Sequence, residues 1–270
     1  MNTTSRIWRI TGLLSAVSTV ILVLGFLYAV KDIVQPAQGE EQAHLSQEFT
    51  SNYPPQGNNY DVAAIGDSLA KGTGDDTGAG FAKRTVELIN NNSNESKLIN
   101  NLGINGLTTA KLIPLLDEEG VQYSLRQAGI IILSIGGNDL FDGNSVVNGG
   151  DLPTELDLEA AVKKAGENLS KVVEKLHQIN PHARLVYVSL YNPFTEIEGM
   201  RDIGNKAVSS WNLIAMEVMD LYEGSLIVPT YDLYMNNSAR YLSSDHFHPN
   251  GDSYQLIADR IIQGLAIPHK

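Results

Sequence analysis

The sequence contains no cysteine. That excludes disulfides, thiolate metal sites and a cysteine nucleophile, and it leaves the compartment open. Basic residues are also scarce. Lys and Arg total 19 against 31 Asp and Glu, giving a formal net charge of -12. A chain with no basic excess has little with which to neutralise phosphates, so nucleic acid is not an expected partner. Broad contact with anionic lipid is disfavoured for the same reason. Histidine is sparse too, with six in 270 residues, which narrows any search for a catalytic base. Hydrophobic residues make up 43%, alongside 24 Gly and 10 Pro, a globular balance.

Long apolar runs are absent except at the amino terminus. Ile10 to Val30 (ITGLLSAVSTVILVLGFLYAV) carries no charge, follows Arg6 and Arg9, and precedes Lys31 and Asp32. About 20 apolar residues suffice to cross a bilayer as a helix. No small-x-small cleavage site closes the run, so an uncleaved signal anchor is expected over residues 1–34. The arginines would stay cytoplasmic and the rest of the chain extracytoplasmic, with secretion the outcome if the segment is cleaved. Residues 35–59 are polar and include Pro36, Pro54, Pro55 and Gly57, the composition of a linker. A single domain is expected over residues 60–270.

Within it, strand-like and helix-like signals alternate. DVAAIGDS, KLINNLGING, GIIILSIGGND, ARLVYVSLYNPF and SLIVPTYDLY read as five strands. Helical spacing appears over Phe81–Asn92, Thr108–Glu119 (with Pro114 as a kink or break), Leu156–Gln178, Lys206–Tyr222 and Asn250–Leu265. Asn250 is a candidate N-cap for the last of these. Strands separated by helices predict an α/β fold with a parallel sheet, whose chemistry gathers beyond the carboxyl ends of the strands. The polar clusters fall at those ends.

Ser68 follows the first strand in Gly66-Asp67-Ser68-Leu69. A serine hydroxyl needs a neighbouring base, and at a strand-to-helix turn it gains backbone N–H groups as well. Taken alone, such a serine is as well explained as a helix N-cap. Gly72-x-Gly74 lacks the lysine–serine pair of a phosphate loop. For the base, His44 lies in the linker, His269 near the carboxyl terminus, and His177 and His182 flank a helix end. His246 and His248 remain, in SSDHFHPNG. Asp245 precedes His248 by three residues and would orient it, leaving Nε2 for Ser68. His246 is the alternative base. A metal site from Asp245, His246 and His248 has no further ligand to complete it, so no metal or other cofactor is expected. Candidate oxyanion donors are the Ser68 N–H, the Gly106 N–H and the Asn138 side-chain amide. Asp139 and Asp67 read as structural groups.

GDSL at Gly66–Leu69, NLGING at Asn101–Gly106, GGND at Gly136–Asp139 and DHFHP at Asp245–Pro249 together resemble the four ordered blocks of the SGNH hydrolase (GDSL lipase/esterase) family. The match looks closest to its small bacterial lipase/acylhydrolases. The resemblance implies a flavodoxin-like three-layer α/β/α sandwich with five parallel strands in order 2-1-3-4-5. It implies Ser68 as nucleophile, His248 as base, Asp245 as its partner, and Ser68, Gly106 and Asn138 as oxyanion donors. The expected reaction is hydrolysis of carboxylic esters, lipid or other acyl esters, through an acyl-enzyme. Leu140 and Phe141 are candidates for an apolar wall, and Asn192 to Ile203, with Phe194, Ile197 and Met200, for a cover over an acyl chain or for plain loop packing. Two alternatives stand beside this reading: an O-acetyl esterase acting on a surface glycan, and a tethered scaffold without activity. Oligomeric state is not legible.

Overall fold

The computed structural model describes residues 12–25, 59–92, 94–141, 152–235 and 238–267. The first stretch, 12–25, is a helix (α1). The expected span Ile10 to Val30 therefore lies only partly within the described residues, and the linker expected over 35–59 lies almost wholly outside them. No helix among the described residues is long and apolar enough to cross a membrane.

The remaining described residues form a three-layer α/β/α domain. Its parallel strands are β1 (Val62–Gly66), β2 (Leu98–Gly103), β3 (Ile130–Ser134), β4 (Arg184–Val188) and β5 (Leu226–Val228), in the order β2-β1-β3-β4-β5. The five expected strands and their expected order are all present. Between them lie α2 (Ser68–Lys71), α3 (Gly80–Asn91), α4 (Thr109–Leu115), α5 (Glu119–Gln127), α6 (Gly137–Leu140), α7 (Glu155–Ile179), α8 (Met200–Asp220), α9 (Tyr231–Tyr234), α10 (Ser238–Tyr241) and α11 (Gly251–Leu265).

β1 and β3 are buried along their whole length. Side chains alternate across a strand, so each central strand supplies two cores. Ala63, Ile65, Ile131, Leu133, Leu185 and Tyr187 face one way, against Leu112 and Leu125 of the shorter helices and Leu169, Val173, Val208 and Trp211 of α7 and α8. Val62, Ala64, Ile130, Ile132, Val186 and Val188 face the other way, against Phe81 and Ile89 of α3 and Tyr254, Ile257 and Ile261 of α11. Each such aliphatic side chain contributes about 1.5–3 kcal/mol on full burial, which is why continuous apolar runs rather than alternating ones mark these strands.

Three boundaries differ from those the periodicity predicts. The helix expected over Thr108–Glu119 ends soon after Pro114, and a second one, α5, starts at Glu119. Helix α8 begins at Met200 rather than Lys206. The fifth strand is only three residues long, and the Tyr231–Tyr234 part of its apolar run coils into α9. Caps fix other ends. Asn250 accepts from the Ser253 N–H at 3.1 Å, as expected of an N-cap, and Thr154 with Asp157 forms a reciprocal capping box at α7.

One buried polar chain ties the layer of the two large helices to the site. Trp211 Nε1–H donates to Tyr187 Oη at 2.7 Å, and Tyr187 Oη–H donates to the Ile135 carbonyl at 2.7 Å. Ile135 immediately precedes the Gly-Gly-Asn-Asp turn. Tyr187→Phe leaves the indole N–H and that carbonyl buried without their partner. It is expected to cost about 1–3 kcal/mol in urea unfolding. A loss within about 0.5 kcal/mol, typical of a surface change, would refute this role.

Candidate active site

The chain runs from β1 out to β2 on one side, then to β3 on the other, so a crevice opens beyond the carboxyl ends of β1 and β3. In register there, Gly66 pairs with Ser134. Gly66 has φ +135°, and a Cβ on it would sit 1.8 Å from the Ser134 carbonyl oxygen, so only glycine lets the two strand ends close up. The next two residues are Asp67 and Ser68. Asp67 is the N-cap of α2, accepting from the Leu69 N–H at 3.0 Å, and Ser134 Oγ–H donates to the same oxygen at 3.1 Å. Ser68 is thus the first helical residue, and its N–H belongs to the first turn, which has no intrahelical acceptor.

The base arrives from the far end of the chain. His248 Nε2 lies 2.9 Å from Ser68 Oγ, and His248 Nδ1 lies 2.6 Å from Asp245 Oδ2. The other carboxylate oxygen of Asp245 accepts from Ser243 Oγ–H at 2.7 Å and from the N–H groups of Phe247 and His248, each at 2.9 Å. Burial pushes the Asp245 carboxyl up, but the bonds from His248, Ser243 and the two backbone N–H groups outweigh it and hold the group at about 2. An ionised Asp245 fixes the Nδ1–H tautomer of His248 and leaves Nε2 as the acceptor facing Ser68. His246 takes a left-handed turn at φ +54° within this loop, its N–H donating to the Ser243 carbonyl. It is exposed and outside the Ser68–His248–Asp245 chain. Of the two candidate imidazoles, it is His248 that reaches Ser68. Among the described residues no group of His, Asp and Glu could hold a metal ion.

The two remaining candidates come from the ends of β2 and β3. Gly106 stands on an exposed turn at φ +74°, with open space where a Cβ would be. Asn138 Nδ2–H donates to the carbonyl of Leu107, the residue next to Gly106, at 3.0 Å. Thr73 Oγ1–H donates to Asn105 Oδ1 at 2.9 Å, which ties the same turn to the segment after Ser68. One set of loop contacts therefore links all three expected oxyanion donors. Asp139 bonds more than its own turn. It accepts from the Thr109 N–H at 2.9 Å and from Thr109 Oγ1–H at 2.6 Å, thirty residues away, at the start of α4.

A small cavity of about 30 Å3 opens beside the nucleophile, between Ser68 and Asn138 on one side and Phe141, Leu190, Pro193 and Phe247 on the other. Phe141 lines it as expected, whereas Leu140 is turned into the core. In the segment expected to cover an acyl chain, Pro193 reaches the cavity. Phe194, Ile197 and Met200 serve loop and core packing instead. Residue types near the motifs do not mark Ser134, Ser243 or Phe247 as parts of the site. Ser134 carries one signal, a polar residue closing an apolar strand, and Phe247 sits inside the DHFHP block.

Comparison with known proteins bears on the same residues. Residues 64–256 match the GDSL-like lipase/acylhydrolase family. The uncharacterised protein YpmR of Bacillus subtilis is 32% identical over 209 residues, covering 76% of this chain and 80% of that protein. The spore germination lipase LipC of Bacillus licheniformis is 25% identical, covering 73% and 92%. The crystal structure of the lipase Lip_vut3 from a goat rumen metagenome superposes with a TM-score of 0.64 at 24% identity, covering 76% and 96%, which shows a shared fold.

Asp67 provides a test of the site's electrostatics. Burial raises its carboxyl to about 7, against the hydrogen bonds from Leu69, Ser134 and Ala70, with nearby Asp139 adding to the rise. Between about pH 4 and 7 the unfolded chain has lost this proton while the folded one keeps it, so the group lowers stability as pH rises through that window. Asp67→Asn keeps a capping oxygen and removes the titration. Measured by urea unfolding, the variant should gain on the wild type between about pH 4 and 7, by on the order of 1.4 kcal/mol for each pH step of one. A stability difference independent of pH would contradict the burial argument.

Proposed function

The chain belongs to the GDSL-like lipase/acylhydrolase family and is a carboxylic ester hydrolase, and we propose that it works through Ser68, His248 and Asp245 by way of an acyl-enzyme. The observation that carries this reading is the continuous chain of hydrogen bonds, 2.9 Å from Ser68 Oγ to His248 Nε2 and 2.6 Å from His248 Nδ1 to Asp245.

In the first half-reaction His248 Nε2 takes the Ser68 proton as Oγ bonds to the ester carbonyl carbon. The carbonyl oxygen becomes an oxyanion, stabilised by the N–H groups of Ser68 and Gly106 and by the Asn138 amide. The bond to the alkoxy oxygen then breaks, and His248 hands its proton to that oxygen. In the second half a water attacks the acyl carbon, His248 takes its proton, and the same donors hold the second oxyanion. Collapse breaks the carbon–Oγ bond, the proton returns to Ser68, and the carboxylic acid leaves. Asp245 stays ionised throughout and stabilises the imidazolium that forms twice in each turnover.

The site of action is part of the same proposal. The uncharged run Ile10–Val30 with Arg6 and Arg9 before it supports an uncleaved anchor, the domain lying outside the cytoplasmic membrane on a polar linker. Intact-mass measurement on protein from the membrane fraction should return the full chain. A mature amino terminus at or beyond residue 31 would reject the anchor.

Against p-nitrophenyl acetate, Ser68→Ala and His248→Ala should each lose nearly all turnover. Asn138→Ala should lose roughly a hundredfold or more in kcat, since it removes one oxyanion donor while sparing the nucleophile. Labelling by a fluorophosphonate probe should vanish in Ser68→Ala, fall steeply in His248→Ala, where the hydroxyl has lost its base, and persist at a lower rate in Asn138→Ala. Undiminished hydrolysis by Ser68→Ala would overturn the assignment.

A further inference from the structure

The cavity beside Ser68 is the acyl side of the reaction, because Ser68 and Asn138 both line it. The carbonyl oxygen of a substrate points to the donors and its alkoxy oxygen must face His248 Nε2 to be protonated, so the remaining substituent, the acyl group, is left toward this cavity. The leaving alcohol departs past His248, where Asp245 and His246 are exposed. At about 30 Å3 the cavity has room for one or two water-sized groups.

Its far wall is aromatic and tightly braced. Phe141 and Phe194 meet edge to face, with ring centroids 5.3 Å apart and planes at 77°. Phe194 in turn packs on Phe247 at 5.6 Å, and Phe247 stands edge-on to the His248 ring at 4.9 Å. Phe141 and Phe194 are each only 2% exposed, so neither ring has free space behind it. Phe247 cannot withdraw by shifting its backbone. Its N–H donates to Asp245, and its carbonyl accepts from Tyr191 Oη–H at 2.8 Å. Tyr191 is itself stacked on Tyr234 at 3.7 Å. A longer acyl chain held within this cavity therefore displaces a packed ring, and forcing extra methylenes into a filled site is costly. Moving Phe247 would also disturb the neighbouring base.

We infer that Phe141 and Phe247 form a stop that sets acyl length, so that the enzyme takes esters of two- or three-carbon acids and rejects medium-chain acyl groups. This rests on the Ser68 reading above and names the acyl class that the site accepts.

The test uses the detergent-solubilised full chain, with p-nitrophenyl acetate and p-nitrophenyl octanoate compared by kcat/KM. The wild type should favour acetate by at least roughly tenfold, the discrimination that a few misplaced methylenes bring. Phe141→Ala and Phe247→Leu should each shift that ratio toward octanoate by about tenfold or more. A wild type that cleaves octanoate as well as acetate overturns the inference. So does an unchanged ratio in variants that still label with a fluorophosphonate at Ser68. Failure of the wild type to label overturns the nucleophile assignment itself, and the stop with it, so the two failures are told apart.

Discussion

The Asp245 carboxylate is the fixed point of the site. It gathers four donors, Ser243 Oγ–H, the N–H groups of Phe247 and His248, and His248 Nδ1–H. Those bonds do two things together. They bend the loop before α11 into one shape, and they keep the carboxyl ionised against its partial burial. The loop shape aims His248, and the charge selects its tautomer. Phe247 is placed by the same bonds, so His248 and the Phe247 wall of the cavity beside Ser68 are set by one carboxylate.

Ser68 is placed by a different device. The close approach of β1 and β3 at Gly66 and Ser134 brings Asp67 into the crevice floor, where it caps α2 and sets Ser68 at the first helical position, beside the cavity. A second acid, Asp139, does comparable work for the neighbouring loop by holding Thr109 at the head of α4. Both buried acids carry raised pKa values, desolvation being the first cause of each. Both therefore give up stability for geometry. The acids beside the crevice divide by environment: those under the floor are desolvated and positional, and the one at the rim is well donated to and electrostatic.

Much of this is legible in the sequence itself. The apolar runs of β1 and β3 are continuous because both faces are covered, and that continuity reads directly as a buried parallel strand. Ser68, Gly106, Asn138, Asp245 and His248 stand at strand ends or before the last helix, where α/β chemistry collects. What stays hidden depends on contacts between distant segments. Asp139 reads only as a structural group because nothing in its neighbourhood announces Thr109. Phe247 goes unnoticed between two histidines, since its partners Phe194 and Tyr191 come from the segment after β4. The choice between His246 and His248 turns on the direction of a side chain, which a left-handed turn at His246 decides and residue type does not. The breaks near Pro114 and Pro229 shift helix and strand ends because local turn chemistry overrides the apolar period.

The two ends of the Ser68–His248 hydrogen bond are 180 residues apart in the chain. His248 is fixed only when α11 docks on α3, with Tyr254 against Phe81, and α11 is the last element of the domain. A chain still emerging from the ribosome thus carries Ser68 without His248 beside it. The Ser68–His248 pair is completed only with the last element of the tertiary structure.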